Sequence, residues 1–247
     1  MKKFLIIVLV SLTVPFFTFF SASAQSASDI LQKVDDIINA PKDQFINMTI
    51  TIYDKSLKES VRTMVTRQKG SDKRLVKFLT PADQKGIGFL SLPNDNLTVY
   101  LPAFGKTRKI GSSVKNSKFA GTDFSYEDME AKRYSSKWNP KLITTAGGYY
   151  VLELTPKTGI VTDYLKLMMY VRTQDNYPVK VEHYDKGGKL YKVLTDNKIT
   201  KIGSYTIAKE LVMEDKKNGT KTKMVMTSIK FDNGFTDDIF SERELIK

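Results

Sequence analysis

The chain has 247 residues, with 39 Lys and Arg against 27 Asp and Glu for a formal charge of +12, one histidine and no cysteine. The absence of thiols excludes a disulfide scaffold, a cysteine nucleophile, a thiolate metal site and an acylated lipoprotein N-terminus. The positive surplus favours anionic partners, although scattered lysines also describe a solvated basic surface with no partner.

Met1 to Ala24 joins Lys2-Lys3, an apolar run from Phe4 to Phe20, and Ala22-Ser23-Ala24 before Gln25. This is the layout of a cleaved secretory signal; the alternative is an uncleaved anchor, against which stand Pro15 and the A-x-A site. Cleavage removes two lysines and no acid, leaving 37 basic and 27 acidic residues. Export makes phospholipid head groups, lipopolysaccharide, acidic glycans or acidic protein faces the anionic candidates, and not nucleic acid. With no linker or low-complexity run in sight, residues 25–247 are expected to form one domain.

The mature part opens with a helix over Ser26 to Ala40. Ser28 is its expected cap, Ile30, Leu31, Val34, Ile37 and Ile38 are its apolar stripe, and Pro41 ends it. Period-two patterning comes next, from Gln44 to Leu101, in five short strands divided by turn residues. Between Ile110 and Arg133 the alternation stops. That stretch is expected to be an insertion with a short helix over Thr122 to Lys132, where Ser125 and Asp128 form a capping-box variant. Six further strands run from Tyr149 to Phe231, with hairpin signals at Asp185-Lys186-Gly187-Gly188 and Lys217-Asn218-Gly219. The only histidine, His183, lies in one of them, in the alternating run Val179 to Tyr184; a satisfied strand histidine outweighs a catalytic one there.

About eleven antiparallel strands with two helical segments must close, form a sandwich or be covered. A mainly β, half-open antiparallel barrel fits, with the N-terminal helix and a central helical lid insertion across its mouth. An immunoglobulin-like sandwich is the alternative, and it predicts neither the leading helix nor the insertion.

Three blocks carry a family resemblance: Leu101-Pro102, Arg108-Lys109-Ile110, and Thr122 to Asp128, which reads TDFSYED. The chain resembles the LolA-like outer-membrane lipoprotein-sorting proteins. The resemblance implies a periplasmic carrier that shelters a lipid or a lipoprotein acyl chain in an incomplete barrel, without catalysis or a cofactor. The TDFSYED block fits a broader subgroup than the best-known lipoprotein carriers, so another lipid is an open cargo.

Soft and aromatic residues supply the candidate cavity and lid: Met64, Phe78, Leu90, Tyr100, Phe119, Phe124, Met129, Met168, Tyr170 and Met226. Methionine adapts to irregular, flexible ligands, and each of these residues taken singly also reads as ordinary core. Gly111 and Gly121 are candidate hinges. Arg108 and Lys109 are expected either to latch the lid through Asp123, Glu127 or Asp128, or to meet a ligand head group.

The acids Asp123, Glu127, Asp128 and Glu130 have helix-capping spacing rather than a metal-loop signature, and no G-x-S-x-G or glycine-rich phosphate element occurs. Neither a metal nor enzymatic chemistry is expected. The partners expected are a lipid or acylated lipoprotein, a membrane-protein donor or acceptor and an anionic membrane surface, with the chain itself a monomer. The alternative function is a protein-binding envelope sensor, or an accessory subunit of a membrane transporter.

Overall fold

The computed structural model describes residues 25–247; the expected signal peptide, Met1 to Ala24, lies outside the described residues. Helix α1 spans Ala27–Ile38. Its cap is Ser26, not Ser28: the Ser26 hydroxyl accepts from Asp29 N at 3.1 Å while the Asp29 carboxylate accepts from Ser26 N at 3.3 Å. The reciprocal pair satisfies two groups at the helix end, which a cap at Ser28 would leave open.

Thirteen strands form one antiparallel sheet. The first group is β1 (Asp43–Tyr53), β2 (Glu59–Lys69), β3 (Lys73–Thr80), β4 (Gly88–Leu92), β5 (Asn96–Leu101) and β6 (Lys106–Lys109). The second is β7 (Trp138–Ala146), β8 (Tyr149–Pro156), β9 (Tyr164–Arg172), β10 (Pro178–Asp185), β11 (Leu190–Ile202), β12 (Tyr205–Asp215) and β13 (Thr220–Phe231). β6 and β7 are the two strands beyond the eleven that alternation marked. Each is an edge strand with one neighbour and a largely exposed face, so neither needs an apolar alternation.

The order β6-β5-β4-β3-β2-β1-β13-β12-β11-β10-β9-β8-β7 has one long-range join, where the first strand pairs with the last. β6 and β7 are therefore the free edges of an unclosed sheet. The chain between them, residues 110–137, must travel from one edge to the other, and this topology carries it over the concave side. Most of the interior packs on that side, in two clusters. One gathers Met48, Ile50, Met64, Phe78, Phe89, Phe119, Phe124 and Met224 around the insertion. The other packs Ile30, Leu31 and Val34 of α1 against Trp138, Leu152, Leu154, Leu167 and Met169.

The insertion is helical only in short pieces: 3-10 turns at Ser112–Val114 and Phe119–Gly121, and α2 at Tyr134–Lys137. The expected helix over Thr122 to Lys132 reduces to one turn, closed by Met129 N donating to Ser125 O at 3.1 Å. Ser125 and Asp128 do exchange capping bonds, at 2.8 and 3.1 Å. The helix does not extend because Phe119 N donates to Phe124 O and Glu127 N donates to Lys115 O, folding the segment back on itself like a hairpin.

On the convex side, α3 (Glu242–Ile246) seats Leu245 beside Leu75 and Leu90. A Cβ on Gly88 would come within 2.6 Å of the Leu245 Cδ1 methyl, so the close approach of this C-terminal segment relies on a residue without a side chain.

Candidate ligand cavity and its cover

The register defines the concave wall. Met48 of β1 lies opposite Met64 of β2 and Met226 of β13, while Ile50 faces Met224, which in turn faces Leu211 of β12. Cross-strand partners share a face of the sheet, so these positions make a continuous apolar, methionine-rich floor. Above it is a cavity of about 250 Å³ whose roof includes Phe124 and Met129 of the insertion and Tyr134 of α2. A second, more polar chamber of about 230 Å³ shares Arg74, Phe124, Asp128 and Tyr134 with the first and continues toward Glu127, Lys137 and His183.

Of the residues expected at a cavity, Met64, Phe124, Met129 and Met226 line this one. Phe78 and Phe119 instead stack with centroids 5.6 Å apart, and Phe89 and Tyr126 complete an aromatic seat for the insertion. Leu90 and Tyr100 face the convex side, beside Phe240 and Leu245. Met168 and Tyr170 also point away from the cavity: Tyr170 pairs with Lys180, whose ammonium lies 3.7 Å from its ring centroid, and Met168 pairs with Glu182.

The cover is fastened by polar bonds, from partners other than those expected. Lys109 does not reach Asp123, Glu127 or Asp128; it pairs with Glu242 at 2.9 Å and bonds to Asn96 and Thr98. Arg108, on the same edge strand, is exposed. Both lie on the exposed edge strand β6. Asp123 is held instead by Lys118 at 2.8 Å and by the Thr222 hydroxyl at 2.7 Å. Glu127 pairs with Lys137 at 2.9 Å and accepts from Thr162 at 3.0 Å. Asp128 meets Lys192 at 3.3 Å and accepts from the Tyr164 hydroxyl at 2.9 Å. From the sheet, Arg74 donates to Met129 O at 2.8 Å and Arg62 donates to Ala120 O.

This enclosure sets the electrostatics. Burial pushes the Asp128 carboxyl up, but Lys192, His183 and the Ser125 bonds outweigh it and hold the group below its ordinary range. Burial pulls the Lys137 ammonium down, and Glu127 with Glu130 more than reverses it. His183 is depressed by burial, so it is neutral at physiological pH, and its Nδ1 has no hydrogen-bond partner among the described residues.

Two charged groups on the cavity wall went unremarked in the sequence. Arg74 lines the cavity on β3, with its guanidinium lowered to about 10 by burial. Asp196 lines it on β11, with its carboxyl raised to about 7 by burial. The signal was there: Arg74 has the parity of Val76 and Phe78, and Asp196 that of Leu194, so each puts a charge where alternation calls for an apolar residue. Tyr134, Tyr177 and Lys192 are the other contributors that alternation alone did not single out.

Among the described residues no helix is long and apolar enough to cross a membrane. A comparison with curated proteins finds no match. A family model described as "Uncharacterized protein" matches residues 70–247. Among solved structures, the chain is similar to a DUF1329 family protein from Desulfovibrio piger, with 26% identity, 89% of this chain and 97% of that one covered, and a TM-score of 0.83. It is likewise similar to a putative outer membrane lipoprotein-sorting protein domain from Vibrio parahaemolyticus, with 26% identity, coverage of 88% and 98%, and a TM-score of 0.78. A LolA superfamily protein from Nitrosomonas europaea has the same fold at 22% identity, with coverage of 90% and 100% and a TM-score of 0.76. The chain belongs to the family whose model spans residues 70–247, and it shares its fold with the DUF1329, lipoprotein-sorting and LolA superfamily structures.

Proposed function

We propose that this protein is a periplasmic carrier, exported by cleavage after Ala24, that binds a lipid or a lipoprotein acyl chain in its concave cavity and moves it toward the outer membrane. The observation that carries this reading is a methionine-floored cavity whose roof is held by polar groups as well as by apolar packing. Apolar walls favour a hydrocarbon occupant. Of the site residues expected from the sequence, Met64, Phe124, Met129 and Met226 are retained in the proposed binding site, and the latch role passes from Arg108 and Lys109 to Arg62, Arg74, Lys137 and Lys192.

The cavity volume of about 250 Å³ lies below the roughly 300–1,000 Å³ of ordinary ligand pockets. The adjoining chamber of about 230 Å³ shares part of its lining, and in this reading loading moves the cover to make room for the chain. Burying about 14 to 16 methylenes gains on the order of 10 kcal/mol before entropic costs. Affinity of that size calls for a membrane donor or acceptor that drives release. Burial and transfer need no bond to be made or broken, and the carrier works without catalysis.

The test is mass spectrometry of organic extracts of the protein purified without detergent, beside Phe124→Glu. A stoichiometric lipid in the native protein that is absent from a folded Phe124→Glu variant supports the reading. An empty protein after incubation with native membranes overturns it in favour of a protein-binding role.

A further inference from the structure

A hydrocarbon alone would leave two ionisable groups of this cavity without a counter-ion. Asp196 is enclosed by protein, retains accessible surface only in part, and lines the cavity with no cation in ion-pair reach among the described residues. Tyr177 lies beside it, with its hydroxyl in hydrogen-bond reach of the Asp196 carboxyl, and Tyr134 in the roof, whose hydroxyl is held protonated first by burial, is close enough for Asp196 to be the leading charge that adds to that effect. A carboxylate beside tyrosine rings is the chemistry that recognises an organic ammonium, through charge and through the negative ring faces. Arg172 occupies one side of Tyr177, with 5.8 Å to its centroid, and the Tyr177 hydroxyl accepts from Ala208 N at 2.9 Å, so this ring is held in place before any ligand arrives.

Arg74 stands on another wall. Its guanidinium bonds to the Gln68 amide oxygen through two nitrogens, at 3.0 and 2.7 Å, and to Met129 O through the third, and it has no carboxylate within ion-pair reach among the described residues. Three of its five N–H groups are engaged, which leaves donors for an anion. The cavity thus offers a guanidinium and a carboxyl that do not pair with each other.

We propose that the polar end of this cavity takes the head group of a zwitterionic lipid, its ammonium beside Asp196 with Tyr134 and Tyr177 and its phosphate against Arg74. This deepens the carrier reading and rests on it. A buried carboxyl without a counter-ion costs stability in the empty protein; a bound ammonium supplies the missing charge.

The experiment is native mass spectrometry of the delipidated protein incubated with vesicles of equimolar dioleoyl phosphatidylcholine and dioleoyl phosphatidylglycerol. The two lipids share acyl chains and a phosphate and differ in the ammonium. The expected result is about tenfold higher occupancy by phosphatidylcholine. Asp196→Asn should bring the two lipids to parity while still loading. Equal occupancy of the native protein, or a preference that survives in Asp196→Asn, overturns the head-group assignment and leaves the carrier reading standing. Loading by neither lipid overturns both.

Discussion

The two halves of the sheet are closed in different ways. Strands β7 to β10 are covered by α1, whose Ile30, Leu31 and Val34 are almost wholly buried against Leu152, Leu154, Leu167 and Met169. Strands β1 to β3, with β13, are covered by the insertion, whose apolar side chains also pack but whose edges are tied down by Asp123, Glu127 and Asp128. Apolar burial is non-directional, whereas removing one partner of a buried ion pair leaves an uncompensated charge in the interior. The two covers therefore depend on different kinds of contact, and the proposed carrier function takes the insertion as the part that moves.

The sharpest way to break this contrast is Lys192→Met, which strands the Asp128 carboxylate in the interior. The expected cost is about 3–5 kcal/mol, felt first as faster amide hydrogen exchange over residues 117–129, with α1 still protected. Uniform loss of protection in both halves would mean that the cover is ordinary core. The pH dependence has a definite sign. Asp128 is held below its usual range, so the latch contributes fully at neutral pH and is lost as pH falls through the lowered value.

Next in size, Leu31→Ala in the plugged half should cost about 2–5 kcal/mol by leaving a void, and Met226→Ala on the cavity wall markedly less, because it enlarges a space already present. Thermal denaturation of the pair checks this, and equal losses would contradict the distinction between filled and hollow halves. A third test uses the carboxyl on the cavity wall. Asp196 has a folded value raised to about 7 from an ordinary value of 3.8, so its neutral form is favoured by folding and its charge opposes folding above pH 7. Asp196→Asn should accordingly raise stability at about pH 8 by about 1–3 kcal/mol, and the gain should shrink as pH falls below 7 and vanish near about pH 4. Chemical denaturation at the two extremes measures it. The smallest effect is expected at the edge strand, where Lys109→Ala removes a largely exposed pair with Glu242 and should change stability by about 0–1 kcal/mol, with exchange in the insertion unaltered.

Local rules reached the elements well and the site less well. Alternation located the strands with one buried face, because a half-buried strand writes its orientation into every second residue. It passed over β6 and β7, whose exposed edges impose no such pattern. The capping pair Ser125 and Asp128 was legible and is formed, yet a cap specifies a first turn and not how many turns the helix then makes. Of the residues that side-chain chemistry singled out, Met64, Phe124, Met129 and Met226 line the cavity. That chemistry could not tell them from Met168 and Tyr170, since a strand with apolar residues on both faces does not say which one is concave.

The sequence by itself determined the mainly antiparallel β architecture, the leading amphipathic helix and the presence of a long interruption between two sets of strands, because each depends on periodicity or turn chemistry within a few residues. Only the tertiary structure decided that β1 pairs with β13, that Lys192 and not Lys109 holds the acidic turn, and that Arg74 and Asp196 line one cavity. Those facts join residues that lie far apart along the chain, and the curvature that brings them together belongs to the whole sheet.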